Sequence, residues 1–338
     1  MQAELFSNLP ITSWLPDEIL YSLVSRYHQL SGNASAKTTC QRLFGHPQGG
    51  FSFDFPSRLN DFVSLTGETL GDANSIIHRR TILSAYLPFW SCVDAAAAIQ
   101  AVCGAGIGSM RQTLGLTRST ARGYRRLRAC QSCMEEDKGV WATTYWHRSH
   151  QLPGVLICLK HGDVLYESTF ESIGPARFQW TLPSNNFLRP ALMMHSPVLR
   201  GEVALKAAGV TLLRRLANNI EAVARLPLDF HFDENGLTNT YGSTLGKMGF
   251  SIERGGKRNV AAIRRCFGGF LSPLLDTNKF KALYSSSGRG GSRFGRQYVG
   301  ADPVHQMLLV TWLFESWEDF ISCYQLMNRA PRSERIFS

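Results

Sequence analysis

The sequence predicts a mainly α-helical protein in three parts. These are a helical amino-terminal domain with helix-turn-helix character over residues 1–125, a small cysteine-bearing module over 126–170, and a second helical domain over 171–338 with its own candidate helix-turn-helix. Two observations lead there. Apolar residues recur at helical spacing towards both ends of the chain, and between them two paired-ligand knuckles, 24 residues apart, interrupt the pattern as a zinc-ribbon-like module would. At 338 residues the chain is long enough for two or three modest cores.

The first element is the run from Pro16 to Leu30. Proline suits a first helical turn, and Asp17 and Glu18 follow it where the helix dipole favours negative charge. Ile19, Leu20, Leu23, Val24, Tyr27 and Leu30 share one face, and Gly32 is a natural stop. Residues 57–70 and 71–90 read as further helices, and Asp94–Val102 as an alanine-rich one. Gly104–Gly108 is too short and irregular for a phosphate loop, and no GxxxxGK motif occurs, which excludes a P-loop nucleotidase. Val155–Cys158 and Asp163–Tyr166 read as short strands entering and leaving the second knuckle. Helical periodicity resumes at residue 197 and is clearest over Val210–Leu216. Tyr241–Met248, Gly249–Ser251 and Asn259–Phe267 read as helix, turn and helix, a spacing that equally fits two core helices with a basic rim. Ser285–Gly300 is a basic Gly/Ser-rich loop, and Val304–Phe320 a final apolar helix.

The knuckles are Cys130-x-x-Cys133 and Cys158-x-x-His161. Zinc favours four tetrahedral sulfur or nitrogen ligands, and a two-residue spacer lets one tight turn offer two side chains to one ion. The second pair comes from a distant segment, so the metal staples two parts of the chain. Four protein ligands close the site, which makes a single Zn²⁺ structural. His147 and His150 are alternative ligands on paper that the knuckles make unnecessary. The aromatic residues of Trp141–Gly154 are expected to pack around the metal, and Glu135-Glu136-Asp137 to form an exposed loop. Cys40, Cys92, Cys103, Cys266 and Cys323 read as buried small hydrophobes in a reducing compartment.

Net charge is +10 and is concentrated in two blocks. Residues 111–130 hold six arginines and no acid; residues 251–300 hold ten basic side chains against Glu253 and Asp276. Either block alone reads equally as a solvated face. Together, beside a zinc module, they point to double-stranded DNA as partner. The candidate contacts are Arg122, Arg125, Arg126, Arg128, Arg254, Lys257, Arg258, Arg264 and Arg265. No basic leader with an apolar core and no apolar run of bilayer length is present, so no membrane partner and a cytoplasmic location are expected.

These features resemble the TniQ/TnsD family of transposon target selectors, as a short or truncated TnsD-like member. Leu15-Pro16-Asp17-Glu18-Ile19-Leu20-Tyr21-Ser22 with Arg26-Tyr27-His28 is similar to the family's amino-terminal signature. Cys130-Gln131-Ser132-Cys133, Tyr145–Arg148, His150–Gly154 and Cys158-Leu159-Lys160-His161-Gly162 are similar to its zinc segment. The likeness covers residues 10–165 and is diffuse beyond, although Pro303-Val304-His305 is similar to a late segment of TnsD-type members; Ser132 and Leu159 depart from the usual knuckle prolines without touching a ligand. The resemblance implies a non-enzymatic protein that recognises a target, by its sequence or by docking on an RNA-guided CRISPR effector with its guide RNA, and hands it to a TnsC-like AAA+ ATPase. Phe6, Trp14 and the helix after them are candidate contacts for that ATPase, or else caps on this chain's own core. The competing readings are a zinc-containing nucleic-acid-processing enzyme and a protein-interaction scaffold. The first lacks an HExxH motif, an H-x-E motif paired with PCxxC and a dense carboxylate cluster.

Overall fold

Short polar caps decide where several helices begin. In the computed structural model of the chain, which describes residues 11–106, 108, 126–169, 179–191, 207–250, 259–274 and 303–329, α1 spans Leu20–Leu30, α2 Ala36–Phe44, α3 Leu59–Leu65, α4 Ala73–Arg80 and α5 Cys92–Cys103. Ser35, Asp72 and Ser91 each accept a backbone N–H of the first turn of α2, α4 and α5, satisfying a donor that the helix itself cannot. After α4 the expected continuation to residue 90 tightens into two 3₁₀ turns, Leu83–Ala85 and Leu87–Phe89. Thr81 marks the break, its hydroxyl donating to Ile77 O and accepting Leu83 N–H.

The start of α1 corrects the sequence expectation. The helix begins at Leu20, and Pro16 and Asp17 form a turn with Asp17 at φ 54°. Glu18 is wholly buried, accepts two hydrogen bonds of 2.7 Å from Arg26 and caps Leu15 N–H at 3.0 Å. The two acids therefore shape the entry to the helix and do not complement its dipole.

The central module contains β1 (Arg128–Ala129), α6 (Gln131–Trp141), α7 (Arg148–Gln151), β2 (Tyr166–Ser168) and β3 (Leu188–Pro190). The strands form one antiparallel sheet in the order β1-β2-β3, with Arg128 opposite Glu167 and Tyr166 opposite Pro190. The remaining described elements are α8 (Ala207–Ala224), α9 (Glu234–Lys247), α10 (Val260–Leu271), α11 (Pro303–Leu313) and α12 (Trp317–Arg329). α11 packs along α8, and α12 along α9.

Two expectations for this half need revision. The apolar run Val304–Phe320 is two helices, because the chain turns at Phe314–Ser316 and Ser316 exchanges hydrogen bonds with Asp319 to start α12. α9 and α10 do exist where the helix-turn-helix was expected. Residues 248–259 separate them, however, against the three or four of a helix-turn-helix turn.

One buried apolar cluster runs from Ile11 to Tyr324 and draws on all three expected parts. The cysteines divide more than the sequence suggested: Cys40 is buried, Cys103 and Cys323 are half-buried, and Cys92 and Cys266 are exposed. Among the described residues no helix is long and apolar enough to cross a membrane.

Candidate metal centre

The first knuckle opens a helix. Cys130 occupies the cap position of α6 in extended geometry, Cys133 lies in the first turn, and Met134 N–H bonds back to Cys130 O at 3.0 Å. Helix-start N–H groups and the positive end of the helix dipole favour negative charge there, which suits thiolates. The second knuckle is a tight turn between bridged segments. Ile157 pairs Val164, Cys158 N–H donates to Asp163 O, and Gly162, at φ 78°, returns its N–H to Cys158 O at 2.8 Å. The module is thus half helical, where a ribbon had been expected.

These two pieces bring Cys130, Cys133, Cys158 and His161 together, with the four donor atoms all within 4.8 Å of one another. Cys133 Sγ lies 3.7 Å from Cys158 Sγ, and His161 Nδ1 lies 3.5, 3.3 and 3.7 Å from the sulfurs of Cys130, Cys133 and Cys158. A tetrahedral zinc with bonds of about 2.3 Å to sulfur and 2.0–2.1 Å to nitrogen has ligand–ligand edges of roughly 3.5–3.8 Å. The donor set fits one such ion. Its electrostatics ask for one as well: hydrogen bonding from Cys130 and then Cys158 pushes the Cys133 thiol far up, while Cys130 and Cys133 pull Cys158 down. Three crowded sulfurs cannot all ionise without a cation between them. The thiolates and imidazole would hold Zn²⁺, which contributes cross-linking and folding free energy and no open coordination position.

Around the ligands lies a set of supports that sequence reasoning missed. Glu136 Oε1 lies 3.0 Å from His161 Nε2 and pairs Lys160, which leaves Nδ1 as the ligating nitrogen and raises the basicity of His161. Asp163 Oδ2 accepts Ser132 Oγ–H at 2.7 Å and lies 3.6 Å from Cys130 Sγ. The expected exposed acid loop is a turn of α6: Glu135 and Glu136 are exposed, Glu136 supporting a ligand from the surface, and Asp137 is buried against His147 at 2.9 Å. His147 and His150 stand outside the four-residue cluster, so neither is needed as a ligand. Their helical i, i+3 spacing was the only hint of a shared role.

The module is joined to the amino-terminal helices through its backbone. Glu18 bridges His147, Ile19 N–H donates to Trp146 O at 3.1 Å, and Asp17 accepts Arg148 N–H at its carbonyl and Ser149 N–H at its carboxylate. Arg148, 93% removed from solvent, donates to Thr81 O, Ser84 Oγ and Ala224 O, and so touches both helical regions. Trp146 is fully buried and donates to Thr181 O, whereas Trp141 is 44% exposed and stands apart from the expected aromatic cluster. A groove of about 650 Å³ opens beside the cluster. It mixes Arg79, Arg80, Lys160 and Arg225 with Asp17, Glu136, Asp137 and Glu221, so it has no net charge to collect a polyanion.

The expected DNA-facing residues fare unevenly. Arg128 is fully buried, its guanidinium donating to Val155 O, Gln151 O and Leu152 O, which removes it from any DNA surface. Arg126 reaches Ser168 O and Thr169 O at the end of β2. On α10, Arg265 is exposed and Arg264 half-buried. Arg122, Arg125, Arg254, Lys257, Arg258 and Phe6 lie outside the described residues. Trp14 is half-buried on this chain's own core, its indole N–H on Leu70 O at 2.8 Å and the Arg80 guanidinium 4.6 Å from its ring.

A closed Cys₃His centre bonded to amino-terminal helices defines a helical protein organised by a structural zinc site. The TniQ family model matches residues 11–165, the span that holds both the α1 segment and all four ligands. The match covers somewhat less than half of the chain. It is similar to the transposon Tn7 transposition protein TnsD of Escherichia coli, 24% identical over 151 residues that cover 44% of this chain and 30% of that protein.

Proposed function

We propose that this protein is a non-enzymatic target selector for DNA transposition that binds double-stranded DNA and recruits a TnsC-like AAA+ ATPase. The observation that carries this reading is that, within the matched span of residues 11–165, the amino-terminal signature and the zinc segment hydrogen-bond to each other. The four-ligand centre leaves no coordination position for a substrate, which favours a structural over a catalytic metal. The target is reached either by its sequence or through an RNA-guided CRISPR effector. The basic stretch around α10 is the first choice of DNA surface, with Arg122, Arg125 and Arg126 as the second.

Filter binding of the full chain to duplex DNA across a salt series tests the DNA step. Each neutralised phosphate adds roughly 0.9 to the slope of log affinity against log salt. Replacing Arg264 and Arg265 by alanine is expected to weaken binding and reduce that slope by up to about two units. An unchanged slope moves the surface away from α10, and binding indifferent to salt refutes the DNA step. Co-purification with the AAA+ ATPase, before and after deletion of residues 1–14, tests recruitment. Retained ATPase binding by a stable truncated chain places the contact beyond Trp14.

A further inference from the structure

We propose that His150 is a positioning residue of the metal centre, donating its Nε2 proton to the sulfur of Cys133 and holding that thiolate in its coordinating orientation. The assignment rests on the zinc reading of the cluster and adds an outer residue to it. His150 Nε2 lies 3.9 Å from Cys133 Sγ, the ring is 96% removed from solvent, and its Nδ1 has no hydrogen-bond partner. A neutral imidazole carries a single N–H, and a buried one gains by placing it on the nitrogen that has an acceptor. Here that nitrogen is Nε2 and the acceptor is a metal-bound thiolate, whose negative charge strengthens the bond.

The ring is aimed by its neighbours. The His147 ring stands 5.0 Å from that of His150, stacks on Tyr145 at 4.3 Å and bonds Asp137 at 2.9 Å. Asp137 and Cys133 both belong to α6. The chain of contacts Cys133–His150–His147–Asp137 therefore starts and ends on one helix, and it fixes the donor relative to the thiolate it serves. Glu136 does the corresponding work for a different ligand, His161.

Two measurements on the full chain test this. Imidazole ¹⁵N shifts of the zinc-loaded protein are expected to show His150 protonated at Nε2 and bare at Nδ1. With ¹¹³Cd in place of zinc, that proton should couple to the metal through the sulfur. The opposite tautomer, or direct metal coupling to a His150 nitrogen, overturns the assignment. Zinc transfer to a chromophoric chelator is the second measurement. His150→Phe keeps the ring volume but lacks the donor and is expected to release zinc about tenfold faster or more, whereas His150→Gln, whose amide nitrogen reaches the Nε2 position, should remain near wild type. Equal release by His150→Phe and wild type overturns the proposal, and if the Phe variant fails to fold, the wild-type tautomer decides alone. Metal analysis of the wild type comes first: absence of zinc in folded protein would sink the zinc reading itself.

Discussion

At the scale of single residues, two arginines two positions apart illustrate how burial divides one charge run. Arg126 spans the end of a strand, while Arg128 is sealed inside the module with three carbonyls on its guanidinium. An acceptor left buried without its donor costs about 1–3 kcal/mol. Arg128→Met is therefore expected to lower unfolding free energy by about 3 kcal/mol or more in urea titration, whereas exposed Arg265→Ala should stay within about 0.5 kcal/mol. Equal, small effects would show that the carbonyls find other donors. Cysteines separate the same way. Burial pushes the Cys40 thiol up to about 12, so at pH 8 it stays protonated and inert. Iodoacetamide should label exposed Cys92 and Cys266 in the native protein and spare Cys40 until denaturant is added.

Between elements, the contact of the zinc module with α8 and α11 depends on a glycine. Gly154 has φ 81°, and a Cβ there would stand 2.9 Å from Ile220 Cδ1 and 3.1 Å from Val304 Cγ1. Gly154→Ala combines backbone strain with overpacking and is expected to destabilise by roughly 1–3 kcal/mol. Gly139 serves as the control, since it lies exposed within α6 and a Cβ there meets nothing within 4 Å. Gly139→Ala should be neutral or stabilising by about 0.5–1 kcal/mol. Thermal denaturation of the two variants side by side checks the contrast. Similar shifts in both would mean that the module does not bear on α8 and α11 as described.

For the whole molecule, the position of the metal within a continuous core matters more than its chemistry. The ligands Cys130, Cys133 and Cys158 belong to the same buried cluster as Leu20, Leu216 and Val304. Arg148 ties that module to Thr81 on one side and Ala224 on the other. Zinc removal should therefore propagate. Chelation, or Cys130→Ser, is expected to lower far-ultraviolet helical signal well beyond α6 and to bring the melting temperature down in one transition. Retention of the remaining helicity with only a local change would show that the helices stand without the module.

The sequence by itself determined the metal centre and the segment, residues 11–165, that matches the TniQ family model. Paired two-residue spacers are a local signal, because ligand geometry and turn geometry both operate within a few residues, and the four ligands named from spacing are the four that converge. Helices α3, α4 and α5 were similarly legible, whereas α2 was missed despite its Ser35 cap. Only the tertiary structure decided what the charges do. Asp17, Glu18, Asp137, Arg128 and Arg148 look alike to a charge count, yet Asp17 and Arg148 bond segments far along the chain, Arg128 is held by the carbonyls of the second knuckle's approach, and Glu18 and Asp137 pair with nearby Arg26 and His147. The burial of Glu18, Asp137, Arg128 and Arg148 follows from tertiary packing, and no periodicity encodes it. The break at Phe314–Ser316 and the length of the α9–α10 connection were hidden for a related reason: apolar composition reports that a segment is buried but not where it turns.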